Sequence, residues 1–363
     1  MDWFELSNID AIDSPALVVE NDRMKANIDK TVAMVGGQAQ RLRPHVKTHK
    51  MKDVIQLQLD AGIKSYKAAT LAEAEMVAKA GAADVLLAHQ PVGPKVDRLL
   101  QLIDDCPEVL VSTIVDDPGV VKSIAVQAAK RKSIEPIHLF IDVECGMHRT
   151  GIALGAQFDA LIQCIAETDQ VHFAGLHVYD GHLHQPSLAE RESSAGEIID
   201  AVRSVTKQHP GIQVVGGGSP TFAIWARQAD WQCSPGTPVL WDVGYASDYP
   251  DLDFQIAAAL VTRVISKPSE DTICLDLGHK AVSSEMDLAN RVVLPEIPDA
   301  KLIGHSEEHL VVFTSKASEI AVGDAFLAFP QHICPSVADH ALAHIVQWSN
   351  ATGEAWKVTA RDR

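Results

Sequence analysis

The sequence lacks a long hydrophobic run and a cysteine framework, and its first residues do not have the pattern of a secretory leader. No apolar stretch in its 363 residues approaches the roughly 20 residues that a membrane-spanning helix needs. The opening MDWFELSNID has no basic region followed by an apolar core, so we expect no signal peptide. The six cysteines, which follow no regular spacing, are Cys106, Cys145, Cys164, Cys233, Cys274 and Cys334. Such scattered thiols indicate a reducing compartment, and we expect a cytoplasmic protein.

Positive charge is also in short supply. The chain has 31 Lys and Arg against 48 Asp and Glu, which gives a formal net charge of −17. Nucleic acids and anionic membranes would be repelled by such a surface. With 47% hydrophobic and 22% charged residues, the composition is that of an ordinary globular protein. We therefore expect neither nucleic acid nor membrane as a partner.

The first 230 or so residues contain no internal repeat, low-complexity tract or linker. Strand-like runs alternate there with helical patterns. The runs are SPALVVE, RLRPHVKT, IKSYKAAT, DVLLAHQ, VLVSTIV, IHLFIDVE, VHFAGLHVY and QVVGGGS. Strands that alternate with helices indicate parallel βα units, and about eight in one series predict a TIM-type (β/α)8 barrel. Capping signals mark helix starts at Thr70, Asp117 and Ser187.

The pattern changes after about residue 250. The segments AALVTRVISK, TICLDLG, HLVVFTS, DAFLAFP and EAWKVTARDR are strand-like, with turns and little helix between them. The sequence therefore predicts an α/β protein in which the barrel is followed by an all-β C-terminal domain. We place the barrel at 13–248 and the β-domain at 249–363, completed by residues 1–12.

The stretch RLRPHVKTHK concentrates cationic and imidazole side chains in an acidic chain. Lys47 closes its predicted strand, and functional groups of a βα-barrel gather at the C-terminal ends of the strands. Neighbouring positive charge and burial favour the neutral amine, which attacks carbonyls. Lys47 is therefore either a surface lysine or a Schiff-base lysine. On a strand Arg43 and His45 would share the face of Lys47. Arg43 would then be a neighbouring cation of Lys47, and His45 is a candidate cofactor contact.

Other predicted strand ends carry further candidates. Arg149 follows IHLFI and either pairs with a surface carboxylate or binds an anionic phenolate oxygen. Tyr179 ends VHFAGLHVY, and His182 and His184 follow it as candidate catalytic bases or structural imidazoles. The segment VVGGGSPT forms either a tight turn or a phosphate-binding loop. Its candidate phosphate-binding residues are Gly217, Gly218 and Ser219.

His332 and Cys334 form an HxC pair in FPQHICPSVADH. Residues at i and i+2 of a strand point to the same face, so the imidazole and the thiolate would be able to share one metal ion. Such ligands favour zinc. A cysteine in this setting is equally compatible with a small buried hydrophobe.

Taken together, these motifs resemble the D-threonine aldolase and D-serine dehydratase family, metal-dependent relatives of alanine racemase in the fold-type III pyridoxal-phosphate class. The segments that carry the resemblance are SPALVVE, RPHVKTHK, DVECGMHRTG, GLHVYDGH, GGGSPT, SPGTPVLWD, DLGHKA, SEEH and PQHICPSV. They occur in the family's order and span nearly the whole chain. His177 is a departure, since relatives often carry glutamine there.

The resemblance implies that Lys47 holds pyridoxal phosphate as a Schiff base and that Tyr179 lies beside it. It also implies that Arg149 contacts the phenolic oxygen and that the 217–219 loop holds the phosphate. His332 and Cys334 would bind a divalent metal next to the substrate, with zinc favoured over manganese or magnesium. Family members are generally homodimers with the active site at the subunit interface.

Two reactions remain open within this family. Retro-aldol cleavage of D-threonine or a similar D-3-hydroxy amino acid gives glycine and an aldehyde, and a base such as His182 or His184 would take the hydroxyl proton. Dehydration of D-serine or 3-hydroxy-D-aspartate releases ammonia, and the HxC pair matches the dehydratases. Taken over the whole chain, the residues of the motifs resemble the bacterial aldolase branch, which favours the aldolase. An amino-acid racemase, or a non-enzymatic carrier of pyridoxal phosphate, fits the HxC pair and the β-domain less well.

Overall fold

A computed structural model describes residues 3–131 and 135–363 of the chain. The chain divides into two units. The unit that we call the barrel unit comprises Thr31–Lys47, Val54–Gly236 and Asp362–Arg363. The unit that we call the strand-rich unit comprises Met1–Lys30, Thr48–Asp53 and Thr237–Arg361. Within the described ranges, no helix combines the length and the apolarity needed to cross a bilayer.

Helices and strands alternate through the barrel unit, whereas strands dominate the other unit. The strands are β1 (Ala16–Glu20), β2 (Ser65–Ala68), β3 (Asp84–Leu87), β4 (Leu110–Val115), β5 (Ile137–Asp142), β6 (Val171–Val178), β7 (Gln213–Gly216), β8 (Gln232–Cys233), β9 (Ala258–Ser269), β10 (Thr272–Leu275), β11 (Val292–Val293), β12 (Lys301–His305), β13 (Leu310–Phe313), β14 (Ala325–Pro330), β15 (Leu342–Gln347) and β16 (Asn350–Lys357). The helices are α1 (Asn21–Met34), α2 (Lys52–Asp60), α3 (Leu71–Lys79), α4 (Pro94–Asp105), α5 (Pro118–Ala128), α6 (Ala156–Ala166), α7 (Leu188–Gln208), α8 (Phe222–Trp225), α9 (Val243–Asp248) and α10 (Ile333–Asp339).

The barrel unit is built on a parallel sheet of seven strands in the order β2-β3-β4-β5-β6-β7-β8. A short segment connects the two edges of this sheet. Leu42 forms a parallel bridge to Cys233 of β8, and His45 forms one to Lys67 of β2. The TIM-type architecture expected from the βα alternation is therefore confirmed, with residues 42–45 completing the ring.

Apolar side chains from neighbouring strands fill the inside of this sheet. One buried cluster takes a residue from each of β3 to β7, namely Leu86, Ile114, Phe140, Ala174 and Val215. Parallel strands covered on both faces are buried along almost their whole length, and β4 is buried at every residue after Leu110. This two-sided burial explains why the sequence reads as short apolar runs.

The predicted helix caps are confirmed. Thr70 accepts a hydrogen bond from the Glu73 N–H at 3.2 Å, and Ser187 accepts one from the Glu190 N–H at 3.4 Å. Asp117 caps α5 in the same way, with Pro118 at the first helical position. Each cap satisfies a backbone donor that has no partner within its helix.

The stretch RLRPHVKT is not the regular strand that the sequence predicts. Its strand character is limited to the bridges at Leu42 and His45, and 3-10 turns lie on both sides, at Ala39–Arg41 and Val46–Thr48. Pro44 gives the physical reason, because proline has no N–H to donate to a sheet ladder. Lys47 consequently lies in a turn beyond the barrel segment and not at the end of a strand.

The strand-rich unit contains a sheet in the order β12-β13-β10-β9-β1-β15-β16, with β14 paired to β9 and β11 paired to β14. The five segments expected to form strands contribute β9, β10, β13, β14 and β16. The N-terminal segment also belongs here, since the Ser7 N–H donates to Ser349 O at 2.7 Å. The predicted C-terminal β-structure is confirmed.

The first predicted barrel strand, SPALVVE, belongs to this second sheet. Its β1 pairs antiparallel with β9 and parallel with β15. The assignment of SPALVVE to the barrel was therefore wrong. The sequence was misleading here because all five residues of β1 are apolar or buried like those of a barrel strand. A short run that is apolar on both faces fits a central strand of either sheet, and its periodicity cannot select the partner strands.

Candidate active site

Three cationic side chains of the barrel unit surround the ring of Tyr179. The Nζ atoms of Lys47 and Lys67 lie 5.8 and 5.4 Å from the ring centroid, and the Cζ atom of Arg149 lies 5.1 Å from it. Each distance is within cation–π range. We call these residues and Tyr179 the cation cluster. It unites three residues predicted from the sequence with one, Lys67, that was not predicted.

The cluster is assembled from separate βα units. Tyr179 directly follows β6, Arg149 lies in the loop after β5, and Lys47 lies in the turn after the 42–45 segment. Lys67 is a residue of β2 itself. These positions are at or beyond the C-terminal halves of barrel strands, where βα-barrels place functional groups.

Lys67 ends a buried chain of polar side chains. Its Nζ lies 3.4 Å from Nε2 of His177, whose Nδ1 lies 2.7 Å from the carboxylate of Asp142. The Thr150 hydroxyl donates to the same carboxylate at 2.8 Å. Lys67, His177 and Asp142 are all buried. Lysine and aspartate are almost never fully buried without a partner, and here the imidazole links the two.

Burial and neighbouring charges shift the ionisation of all three groups. Burial, followed by the charge of Lys47, lowers the pKa of Lys67 to about 7. Burial and the charge of Lys67 lower the pKa of His177, which favours a neutral imidazole. Burial acts to raise the pKa of Asp142, but its hydrogen bonds and the nearby cations outweigh that effect and hold the pKa below the usual value.

The sequence contained one signal for this chain of side chains. Lys67 is the only charged residue of β2 in a segment, IKSYKAAT, that otherwise reads as a buried strand. A lysine inside a covered parallel strand needs a specific partner. Its partner, His177, lies on β6, far away in the chain, and the pairing is visible only in three dimensions.

The predicted cofactor contact at His45 also has a defined place. Its Nδ1 lies 3.3 Å from the backbone N–H of Lys47. His45 is therefore able to restrain the turn that carries Lys47. A direct contact between His45 and a cofactor stays a prediction.

The GGGS loop follows β7 and is held tightly. The Gly217 N–H donates to Val178 O at 3.0 Å, and the Gly218 N–H donates to the Thr221 hydroxyl at 3.2 Å. Gly217 has φ +78°, and a Cβ there would lie 2.6 Å from the Trp225 ring. Only glycine fits this position. Since both N–H groups are engaged within the protein, the predicted phosphate contacts of Gly217, Gly218 and Ser219 stay predictions.

A buried carboxylate fixes this loop beside Tyr179. Asp180 accepts hydrogen bonds from Nε1 of Trp225 at 2.7 Å and from the Thr221 hydroxyl at 2.9 Å. Burial raises its pKa in spite of these bonds. Asp180 thus links the residue after β6 to the loop after β7.

The two candidate bases in DGHLH differ in their surroundings. The His182 ring packs against the backbone of Gly146, where a Cβ would lie 2.7 Å from Nε2. Its Nδ1 is buried and has no hydrogen-bond partner among the described residues. His184 is exposed. The structure therefore distinguishes the two imidazoles, and the catalytic role of each stays a prediction.

The HxC pair lies at the start of a helix, so the expected strand geometry was wrong. His332 is the N-cap residue of α10, and Cys334 is in its first turn. The helix begins because the Ile333 N–H finds an acceptor in the buried Asp242 carboxylate at 3.1 Å. The two side chains nevertheless meet, since the His332 imidazole hydrogen-bonds with the Cys334 thiol.

Acidic and polar groups surround this pair within the strand-rich unit. Nδ1 of His332 contacts the Glu285 carboxylate, and Sγ of Cys334 lies 3.2 Å from the Thr48 hydroxyl. Burial acts to lower the pKa of His332, but the bond to Cys334 and the nearby negative charges raise it to about 9. Burial also raises the pKa of Asp242 to about 6.

Imidazole and thiolate are suitable zinc ligands. Throughout the ranges that the structure describes, however, no three His, Cys, Asp or Glu side chains are arranged to hold a metal ion. The donor chemistry of His332 and Cys334 therefore fits a metal, while the ligand set needs at least one further group. Metal binding stays a prediction.

Comparison with known proteins identifies both parts of the chain. Residues 19–239 match the alanine racemase N-terminal domain, and residues 257–346 match a serine dehydratase domain. A D-threonine aldolase from Arthrobacter sp is 25% identical over 96% of this chain and 93% of its own length. A D-threo-3-hydroxyaspartate dehydratase from Delftia sp. (strain HT23) is 27% identical over 90% of this chain and 92% of its own length.

A solved structure gives the same relationship. D-threonine aldolase from Filomicrobium marinum superposes on this fold with a TM-score of 0.87 at 25% identity, covering 99% of this chain and 98% of that protein. The chain is therefore similar along its whole length to lyases of two reaction types, aldolases and dehydratases.

Proposed function

Because the chain belongs to the alanine racemase N-terminal domain family, we propose that it is a pyridoxal-phosphate-dependent lyase acting on D-3-hydroxy amino acids. The observation that carries this proposal is the cation cluster, in which Lys47, Lys67 and Arg149 surround Tyr179 at the barrel rim. An amine beside an aromatic ring and a guanidinium suits an anionic aromatic aldehyde. We further propose that the reaction is retro-aldol cleavage of D-threonine and similar substrates, and that the protein works as a homodimer.

The residues divide into attachment, orientation and proton transfer. Lys47 supplies the amine that attaches the cofactor, and Tyr179 and His45 orient it. Arg149 would bind the phenolic oxygen of the cofactor. The loop residues Gly217, Gly218 and Ser219 would bind its phosphate. When bound, the cofactor withdraws electrons from the substrate's α-carbon, so that a bond to this carbon is able to break.

The choice between retro-aldol cleavage and dehydration depends on which proton of the substrate the protein removes. In the aldolase reaction a base accepts the proton of the substrate's β-hydroxyl, and His182 and His184 are the candidate bases. In a dehydration Lys47 would instead remove the proton from the α-carbon, and the hydroxyl group would leave. His332 and Cys334 would hold a divalent ion, and that ion would supply Lewis-acid chemistry.

Dehydration is the second candidate function. Two observations favour it: the His332–Cys334 pair, which resembles the dehydratase ligands, and the 27% identity to a 3-hydroxyaspartate dehydratase. The chain is, however, comparably similar to D-threonine aldolases in sequence and in structure, which argues against dehydration. We place the aldolase first.

Product analysis tests this choice. The purified protein, loaded with pyridoxal phosphate, is incubated separately with D-threonine, D-serine and 3-hydroxy-D-aspartate. We expect glycine together with acetaldehyde, formaldehyde or glyoxylate, respectively. Formation of 2-oxobutanoate, pyruvate or oxaloacetate with ammonia would replace the aldolase by the dehydratase. If none of the three substrates were turned over, both the aldolase and the dehydratase proposals would be refuted.

The metal proposal gives a separate prediction. Exhaustive chelation, or His332→Ala, should lower kcat by roughly 100-fold or more, because a Lewis acid contributes several kcal/mol to the transition state. Bound metal, measured by elemental analysis, should fall in parallel. His172→Ala serves as the control, since His172 is an exposed residue of β6. Full activity in a chelated protein shown to be metal-free would rule out the metal.

A further inference from the structure

Lys67 is a buried amine whose direct partner is an imidazole. It is 2% exposed and lies between Tyr66 and Ala68, which are completely buried. A charged ammonium in such a place loses its hydration, and a neutral partner restores little of it. The attachment role proposed for Lys47 gives Lys67 no function.

The polar chain behind Lys67 determines which atoms donate. An ionised Asp142 carboxylate accepts hydrogen bonds only, so Nδ1 of His177 must donate to it. In a neutral imidazole Nε2 is then the acceptor, and the Lys67 amine must donate to it. His177 and Asp142 therefore hold the Lys67 amine in place, whether or not the amine is protonated.

Several charged groups face this amine. The cations Lys47 and Arg149 contact the same Tyr179 ring. The negative charges come from Asp142, at the end of β5, and from the buried Asp180, which follows Tyr179. The carboxylates favour the ammonium form of Lys67, while burial, Lys47 and Arg149 oppose it. The opposing influences are larger, and the pKa of about 7 leaves both forms populated near neutral pH.

We propose that Lys67 is a positioning residue that acts on Lys47: held by His177 and Asp142 against the Tyr179 ring, its positive charge disfavours a second positive charge on the Lys47 nitrogen. This inference rests on the proposed function, because the Lys47 nitrogen matters through its bond to the cofactor. Protonation of Lys67 lowers the proton affinity of that nitrogen, and loss of the Lys67 proton restores it.

The experiment is a spectroscopic pH titration of the cofactor-loaded protein. The absorbance band near ~410–430 nm reports the protonated nitrogen at Lys47. Lys67→Met removes the repelling charge, so the titration midpoint should rise by about one pH unit or more. Lys67→Arg keeps a permanent charge, so its midpoint should be the lowest of the three proteins. Lys64→Met, at an exposed lysine nearby on the chain, should titrate like the wild type.

A second measurement uses the protein without cofactor. With ¹³C-labelled lysine, the NMR signal that Lys67→Met abolishes belongs to Lys67. We expect this signal to titrate about three units below an ordinary lysine, whose pKa is near 10.4. Asp142→Asn removes a carboxylate that favours the ammonium, so the midpoint should fall further.

The outcomes separate the two proposals. A cofactor band with the same midpoint in wild type, Lys67→Met and Lys67→Arg overturns the role of Lys67 and leaves the lyase function intact. A Lys67 signal that titrates near 10 also overturns it. Absence of the band from the wild type overturns both proposals. The order arginine variant, wild type, methionine variant, with midpoints increasing, supports the inference.

Discussion

Replacing Lys47 by alanine should abolish covalent attachment of pyridoxal phosphate and lower turnover by roughly 10⁴-fold or more, the scale seen when a covalent nucleophile is lost. The reason is that, among the described residues, no other amine takes the place of Lys47 in the turn beside Tyr179. Lys67 also faces Tyr179, but it is buried and engaged by His177. Borohydride reduction of the loaded wild type, followed by peptide mapping, should find the cofactor on Lys47.

Lys52→Ala provides the matched control. Lys52 is an exposed lysine close to Lys47 in the chain, at the start of α2. This variant should keep the absorbance band and the activity of the wild type. If the reduced cofactor were found on Lys67, or if Lys47→Ala retained the band, the assignment of the attachment site would be wrong.

Replacing Arg43 by methionine should destabilise the barrel unit by about 3–5 kcal/mol, the cost of leaving a buried charge without its partner. Arg43 is 0% exposed, and its guanidinium donates to both carboxylate oxygens of Asp84, at 2.7 and 2.5 Å. It also donates to Gln232 at 2.8 Å. The substitution removes all three bonds, and it leaves the Asp84 carboxylate largely desolvated.

Urea unfolding followed by fluorescence and circular dichroism measures this loss. Arg98→Met is the control because Arg98 pairs with Glu75 at 2.7 Å while both side chains remain partly exposed, at 39% and 29%. An exposed ion pair contributes at most about 1 kcal/mol. Equal destabilisation by the two substitutions would contradict the importance of burial for the Arg43 pair.

Arg43 also shows where local reasoning stopped. The sequence places Arg43, His45 and Lys47 on one face of a strand, as an electrostatic setting for Lys47. In the structure Pro44 interrupts the strand, Arg43 turns to Asp84, and Lys47 lies in the following turn. Lys47 still lies in the cation cluster, but the cation beside it is Lys67 and not Arg43 as the sequence predicts.

The cation cluster gives a similar comparison. The sequence identified Lys47, Arg149 and Tyr179 from motifs at predicted strand ends, and the structure brings all three together. The same reasoning predicted that the His332 and Cys334 side chains meet, which they do, but it placed them on a strand and not at the start of a helix. His332 is the N-cap residue and keeps an extended backbone, so its side chain is able to meet Cys334 in the first turn much as it would on a strand. A two-residue motif does not distinguish these two settings.

By itself, the sequence determined the βα alternation, the strand-rich C-terminal part, the helix caps and the candidate residues at strand ends, because each depends on residues close together in the chain. The tertiary structure alone decided that β1 joins the second sheet, that Arg43 pairs with Asp84, and that Lys67 meets His177 and Asp142. These features depend on pairing between distant segments. Burial and the charge of a partner then set the chemistry of each group, and neither is written in the local pattern of residues.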